Sequence, residues 1–144
     1  MARLRLKPLA HYPFSMEINV RITDINYGGH LGNDSLLSLV HEARVAFLAH
    51  HSLSEKDCFG TSLIIGDTAI IYQGEAFAGD ILKFEVGSGE PSKYGFRLFF
   101  RITRQPESHP IALVENGMVC FDYEQKRVVP LPEKMLRVFE DGKG

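Results

Sequence analysis

Cysteine is scarce in this sequence, and its scarcity excludes several kinds of site and fold. Cys58 and Cys120 are the only two among 144 residues, and they lie far apart with no CxxC spacing. Such a pair supplies neither a thiolate zinc site nor the dense disulfide framework of a small secreted domain. We therefore expect two reduced thiols in a protein of the cytosol.

Long apolar runs and a strong net charge are also missing. No hydrophobic stretch approaches the ~20 residues that a membrane-spanning helix needs, and residues 1–13 hold no apolar segment typical of a signal peptide. The formal net charge is −2, so there is no basic excess of the kind that binds nucleic acid. We expect a soluble, cytoplasmic protein whose partners include neither membrane nor nucleic acid.

The residues that are present have an ordinary globular composition, with 44% apolar and 24% charged side chains. The six histidines contain no HxH or HxxxH pair, so the sequence predicts no metal site. We find no repeat, linker or shift in composition. The sequence therefore predicts one domain over residues 1–144, with its core at about residues 12–138.

A strand followed by a long helix opens the predicted fold. Strict alternation predicts the strand, whose apolar positions are Phe14, Met16, Ile18, Val20 and Ile22. The helix is predicted from about residue 34 to residue 50, with Asn33, Asp34 or Ser35 as its cap. Its apolar positions cover more than a single stripe, which favours a buried helix over a surface one.

The remaining chain predicts strands separated by turns. Segments 62–72, 81–86, 96–102 and 111–123 are rich in β-branched and apolar residues, with Gly, Ser and Pro between them. We also predict a bulge at Asn116-Gly117 and a short terminal helix over residues 133–139. This spacing favours antiparallel pairing. The predicted fold class is α+β, with one long buried helix wrapped by a twisted antiparallel sheet of about five strands.

A polar, glycine-rich loop leads into the helix and is the first candidate for a functional site. Residues 23–35 hold Gly28, Gly29 and Gly32 together with a histidine, two asparagines and two aspartates. The glycines either satisfy turn geometry or leave room for a carbonyl to approach the N–H groups of residues 29–34. Donors at the start of a helix stabilise an oxygen that becomes negative during a reaction.

The layout and four segments resemble the hotdog-fold thioesterases related to 4-hydroxybenzoyl-CoA thioesterase and the bacterial acyl-CoA thioesterases. The family's loop pattern R-x-x-D-x-D-x-x-G-H-[VL]-x-N is met at Arg21, Asp24, Gly29, His30, Leu31 and Asn33, with Asn26 at the position of the second D. The other segments are the helical Glu42-Ala43-Arg44, the Y-x-x-P-…-G-D turn at residues 71–80 without its usual proline, and the closing Pro130-Leu131-Pro132. The resemblance spans about residues 12–138 and implies a hotdog fold.

One position departs from the family pattern. In much of the family the second acidic residue of D-x-D is the catalytic carboxylate, whereas this sequence has Asn26 there. An amide cannot take a proton at neutral pH and is a poor nucleophile, so the resemblance does not transfer that role. Asn26 could still hydrogen-bond a water molecule or the thioester.

Three ionisable residues are candidates to replace the missing carboxylate. Asp24 is the nearest carboxylate, unless it caps the loop or pairs with Arg21. His30 either ties the turn together or orients and deprotonates water. Glu42, about two turns into the helix, is either exposed or faces a neighbouring subunit's loop as a base. The predicted substrate-binding residues, with Tyr27 as pocket wall, are Tyr27, Gly28, Gly29, Gly32, Asn33 and Asp34.

Two classes of function follow from the resemblance. The favoured one is hydrolysis of an acyl-CoA or acyl-carrier thioester, with coenzyme A entering only as part of the substrate and no other cofactor. The alternative, motivated by Asn26, is a non-catalytic or very slow protein that binds an acyl thioester. The family pairs two sheets into a dimer with the pocket at the interface, which covers exposed strand edges. We therefore predict a homodimer or homotetramer.

Overall fold

The computed structural model describes residues 3–141, in which one long helix packs on a single antiparallel sheet. The strands are β1 (Phe14–Asn19), β2 (Ser62–Tyr72), β3 (Ile81–Gly89), β4 (Gly95–Gln105), β5 (His109–Asp122) and the two-residue β6 (Arg127–Val128). The helices are α1 (Asn33–His50) and α2 (Met135–Asp141), and a short 3₁₀ turn covers Ile22–Asp24. The predicted order of strand, helix and antiparallel strands is confirmed; β6 was not predicted.

The sheet places the first two strands at its opposite edges. The strand order is β1-β3-β4-β5-β2, every neighbouring pair is antiparallel, and β6 pairs with β5 off this path. The chain therefore leaves β1 at one edge, passes through α1, and enters β2 at the other. The loop before α1 and the loop after β2 are joined across this arrangement by a backbone hydrogen bond from Leu31 N–H to Ala76 O (2.7 Å).

The first strand is shorter than its alternating pattern predicts. Phe14, Met16 and Ile18 pack against the core as expected, but Ile22 is 76% exposed. Regular pairing ends at Asn19, because the backbone N–H and guanidinium of Arg21 bond the Asp24 carboxylate and close the 3₁₀ turn. A local side-chain contact thus overrides the period-two pattern beyond residue 20.

Helix α1 begins without a side-chain cap, so the prediction of Asn33, Asp34 or Ser35 in that role is wrong. Gly32 is the residue at the N-cap, and Asn33 Oδ1 instead accepts the N–H of Asp34 (2.9 Å). The helix is also buried on one face only. Leu37 and Val45 are exposed in the protomer, whereas the face toward β1 and β3 buries Leu36, Leu39, Val40, Ala43 and Phe47.

Aromatic side chains fill the space between α1 and the sheet. Phe47 from the helix, Phe84 from β3 and Phe100 from β4 are each almost completely buried. Each contributes about 1.5–3 kcal/mol through the apolar surface that it removes from water. Phe14 adds an edge-to-face contact with Phe47, with ring centroids 5.9 Å apart. This cluster packs the C-terminal half of α1 against the sheet.

The irregularity predicted at Asn116-Gly117 lies on the opposite strand. The β2–β5 register shifts between Ile65 and Asp67, so the extra residue is Gly66, which lies opposite Met118 and Gly117. The sequence predicted an irregularity at this strand pair but placed the additional residue on β5 rather than on β2. The terminal helix likewise begins at Met135, two residues after its predicted start.

A buried arginine on α1 was not predicted. Arg44 is 5% exposed, and its guanidinium donates to Glu55 Oε1 (2.5 Å) and to Asn116 Oδ1 (2.8 Å) on β5. Asn116 in turn donates to Thr68 Oγ1 on β2 (3.2 Å). The charge is tolerated in the interior because both sides of the guanidinium meet oxygen acceptors. The network ties the middle of α1 to the far edge of the sheet.

The two cysteines are free and buried. Burial raises the pKa of the Cys58 thiol to about 12, so it stays protonated at neutral pH. Its Sγ lies 3.7 Å from Met135 Sδ, which places it in the contact between the sheet and α2. Among residues 3–141, no helix is long and apolar enough to cross a membrane.

Replacing Arg44 tests the buried network. We expect Arg44→Ala to lower the free energy of unfolding by about 3 kcal/mol, because Glu55 and Asn116 lose their shared cation. Chemical denaturation followed by circular dichroism measures this. Arg127→Ala on exposed β6 is the control and should change stability by less than about 0.5 kcal/mol. Equal effects of the two variants would show that the network does not stabilise the fold.

Candidate functional site

A cavity of about 350 Å³ lies where α1 begins. Three segments form it: the loop before the helix, the end of β2 with the loop that follows, and the start of β5. Its apolar wall consists of Leu31, Leu36, Ala76 and Ile111. Its polar side chains are Asn26, His30, Asn33 and Glu75, with Tyr72 at the end of β2. A mostly apolar cavity with a few polar groups is typical of a small-molecule site.

Asn26 builds the turn that carries His30. Its side-chain oxygen accepts the N–H of Gly28 (2.9 Å), and its backbone exchanges hydrogen bonds with Gly29 N–H (3.0 Å) and His30 O (2.9 Å). Gly29 has φ +85°, a conformation that favours glycine, whereas Gly32 has φ −73°. Turn geometry therefore accounts for Gly29, and the amide of Asn26 takes part in the same turn.

Most of the N–H groups predicted to meet a carbonyl are already occupied. Gly29, Leu31 and Gly32 donate to the backbone oxygens of Asn26, Ala76 and Asp24, and Asp34 donates to Asn33 Oδ1. Within the described chain, the N–H groups of His30 and Asn33 have no protein acceptor. Both residues line the cavity, so the predicted set of donors narrows to these two. Their role toward a substrate remains a prediction.

His30 and Glu75 face each other in the cavity. His30 Nε2 lies 4.0 Å from Glu75 Oε1, and His30 Nδ1 lies 3.4 Å from Leu31 O. Arg104 donates to the backbone oxygen of Glu75 (2.7 Å) and holds that loop in place. Sequence reasoning missed Glu75. Its only signal was that it lies in the segment that lacks the usual proline, and its distance from His30 depends on the folded sheet.

Asp24 lies outside the cavity and forms an ion pair with Arg21 within the loop. It is 4% exposed and accepts hydrogen bonds from the backbone N–H and guanidinium of Arg21 at 2.9–3.3 Å. Hydrogen bonding from the Arg21 side chain lowers the pKa of the Asp24 carboxyl. The structure therefore favours the pairing of Asp24 over its predicted role as a replacement base.

Five further predicted residues also lie outside the cavity of the protomer. Glu42 is exposed on α1, and Gly28, Gly29 and Asp34 are exposed around the loop. Tyr27 is fully exposed, so it is not a wall of this cavity, and a wall role would require a partner subunit. Among residues 3–141, no three His, Cys, Asp or Glu side chains come together as a metal site would require.

The chain belongs to the Thioesterase-like superfamily, whose family model matches residues 20–139. Thioester hydrolysis is therefore the chemistry of its family. A search of curated protein sequences finds no match.

Solved structures show the same fold. The 1,4-dihydroxy-2-naphthoyl-CoA thioesterase Slr0204 from Synechocystis is 21% identical, with a TM-score of 0.81 over 91% of this chain and 98% of its own. YbaW from Escherichia coli, described as a probable thioesterase, is 20% identical, with a TM-score of 0.74 over 89% and 97%. The gentisyl-coenzyme A thioesterase BH1999 is 16% identical, with a TM-score of 0.75 over 88% and 99%. These similarities confirm the predicted hotdog fold.

The ion pair of Asp24 with Arg21 should make the free energy of unfolding depend on pH. Because the folded pKa of Asp24 is lowered, its contribution is complete above the unfolded value of about 3.9 and is lost as the pH falls through the folded value. We expect Asp24→Asn to lower the free energy of unfolding at pH 7 by about 1–3 kcal/mol.

Denaturation of wild type and Asp24→Asn between pH 7 and pH 2 measures this. The gap between the two proteins should shrink at the acid end, whereas Glu133→Gln, an exposed control, should follow the wild type throughout. A gap that is constant with pH would contradict the ion pair's contribution.

Proposed function

We propose that the protein hydrolyses an acyl-CoA thioester in the cavity at the start of α1. The observation that carries this proposal is the combination of an apolar cavity with two unoccupied N–H groups, those of His30 and Asn33, at a helix N-terminus. A thioester carbonyl placed there accepts hydrogen bonds in the ground state. The same donors stabilise the negative oxygen of the tetrahedral intermediate, at about 3–4 kcal/mol for one donor.

The apolar wall provides a place for the acyl group. Cavities of roughly 300–1,000 Å³ hold small organic ligands, and this one, at about 350 Å³, is at the lower end of that range. A larger groove of about 590 Å³ lies beside Arg101, but no residue of a helix lines it. Coenzyme A enters as part of the substrate, and we propose no other cofactor.

The binding-only alternative rests on Asn26. Its side-chain oxygen accepts the Gly28 N–H and its amide cannot act as a base, so the usual carboxylate function is lost at that position. The hydrolase is favoured because His30 and Glu75 supply proton acceptors in the same cavity. Binding without turnover is the competing outcome of the test. The expected cytoplasmic location remains a prediction.

We also propose that the protein works as a homodimer or homotetramer. β2 is an edge strand of the sheet, and an exposed edge invites pairing with another chain. Ile65 and Tyr72 on β2 and Leu37 and Val45 on α1 are exposed apolar side chains in the protomer. A second copy covering them would also bring neighbouring surface toward the cavity, since Tyr72 belongs to both.

Release of free thiol tests the proposed activity. We expect hydrolysis of at least one member of a panel of short-chain, long-chain and aromatic acyl-CoAs, followed with a thiol-reactive dye. Aromatic members are included because two proteins of similar structure are thioesterases of aromatic substrates, 1,4-dihydroxy-2-naphthoyl-CoA and gentisyl-CoA. The protein's own buried thiols should add little background.

Replacing His30 tests its role in the same thiol-release assay. We expect His30→Ala to lower kcat by roughly 10²–10⁴-fold, because His30 lines the cavity and would orient or deprotonate the attacking water. His11→Gln, an exposed histidine outside the cavity, is the control and should keep the wild-type rate. Measurable CoA-thioester binding without turnover of any panel member would favour the binding protein instead.

Sedimentation velocity tests the assembly. We expect a species of at least twice the 16.2 kDa of one chain at micromolar concentration. Ile65→Arg, which places a charge on the exposed edge strand, should shift the population toward monomer. Glu133→Gln should sediment like the wild type. A stable wild-type monomer over the whole concentration range would rule out the proposed dimer.

A further inference from the structure

We infer that Glu75 is the catalytic base of this site and that it holds the attacking water together with His30. The inference rests on the proposed thioester hydrolysis and names the group that performs its proton transfer. The sequence offered Asp24, His30 and Glu42 as candidates. The inference keeps His30 and pairs it with Glu75. The pair comes from two loops that are 45 positions apart along the chain.

The backbone fixes the two residues beside each other. Leu31 N–H donates to Ala76 O (2.7 Å), and His30 and Glu75 are the preceding residues on the two bonded segments. Arg104 on β4 donates to the backbone oxygen of Glu75 (2.7 Å) and is itself held by Glu107 Oε1 (2.9 Å). Glu75 is therefore held from two sides, although its own side chain is 65% exposed.

The side-chain geometry fits one shared water. Leu31 O can only accept, so the 3.4 Å contact assigns the proton to His30 Nδ1 and leaves Nε2 as an acceptor. Nε2 and Glu75 Oε1 are 4.0 Å apart, too far for a direct hydrogen bond. Two acceptors that each take one hydrogen of the same water lie about 4–4.5 Å apart. Such a water keeps its lone pairs free to attack.

Other groups near the helix start do not fit this role. Glu75 is the one carboxylate that lines the cavity among residues 3–141. Asp24 is buried against Arg21, and Glu42 lies outside on α1. Asn26 lines the cavity, but its oxygen already accepts the Gly28 N–H and an amide takes up no proton. Asn26, at the position where the family has a carboxylate, is therefore polar but takes up no proton. The carboxylate of the cavity is that of Glu75, in the loop after β2.

The reaction balances with these groups alone. The water oxygen bonds to the carbonyl carbon while Glu75 takes one water proton, and the electron pair of the C=O bond moves onto oxygen, facing the His30 and Asn33 N–H groups. When the C=O bond re-forms, the C–S bond breaks. Glu75 returns its proton to the departing sulphur, so the products are the acid and the free thiol of coenzyme A.

Glu75→Gln is the direct test, on the acyl-CoA that the wild type hydrolyses fastest. We expect kcat to fall by roughly 10²–10⁴-fold with KM changed by less than about threefold, because the substrate contacts remain and only the proton acceptor is lost. Glu17→Gln on β1, an exposed glutamate outside the cavity, is the matched control and should keep the wild-type kcat. Thermal unfolding of both variants should match the wild type.

Two further measurements separate a catalytic from a structural role. If His30 and Glu75 hold one water, the double variant His30→Gln/Glu75→Gln should be no more than about tenfold slower than the slower single variant. Glu75→Ala leaves space for a small acid, so added formate should restore part of its rate, whereas it should not restore Glu75→Gln.

The outcomes distinguish this inference from the function on which it rests. If the wild type hydrolyses an acyl-CoA and Glu75→Gln does so at a rate within about twofold of wild type, Glu75 is not the catalytic base. The proposed thioesterase activity is unaffected by that outcome. Fully multiplicative effects in the double variant, or no rescue by formate, also contradict the shared water. A wild type that hydrolyses no acyl-CoA overturns the proposed function and, with it, the inference.

Discussion

The hydrogen bond from Leu31 N–H to Ala76 O is the contact on which the candidate site depends. It joins the glycine-rich loop before α1 to the loop after β2, which enter the fold from different segments of the chain. Everything that lines the cavity lies on or beside these two loops, apart from Ile111 at the start of β5. The contact places the apolar wall residue Ala76 beside the start of the helix.

One ion pair and one hydrogen bond from an arginine to a backbone oxygen support that contact. Asp24 and Arg21 close the turn that ends β1, and Gly32 N–H bonds Asp24 O so that the helix starts in a defined place. Arg104 holds the other loop through the Glu75 oxygen. The ion pair explains why an acidic residue at Asp24 is useful without any role in catalysis. The hydrogen bond explains how an exposed loop can present a side chain to the cavity.

In this site the carboxylate belongs to Glu75 in the loop after β2, whereas the loop before α1 has an amide at Asn26. An amide at Asn26 accepts the Gly28 N–H as a carboxylate would, so the turn that presents His30 persists. The proton-accepting capacity then has to come from another segment that reaches the same space. Glu75 meets that requirement because its Oε1 lies 4.0 Å from His30 Nε2 in the folded protein.

The local pattern of apolar and polar residues was sufficient to predict most of the strands and the long helix. Alternation identified β1 but extended it past its observed end at Asn19, β2 was predicted with its observed bounds, and the helical spacing placed α1 within one residue of its start. It failed where a side chain competed with the backbone pattern. Ile22 left the strand because of the Arg21–Asp24 pair, and Arg44 could be recognised as buried only once Glu55 and Asn116 were seen around it.

The sequence by itself determined the order of elements, the loop that starts the helix and the place of His30 within it, because these depend on residues close together along the chain. Which N–H groups remain unoccupied, and which carboxylate meets the histidine, depend on contacts between segments far apart. Only the tertiary structure decided them, since the pairing of Leu31 with Ala76 exists only after β1 and β2 take opposite edges of one sheet.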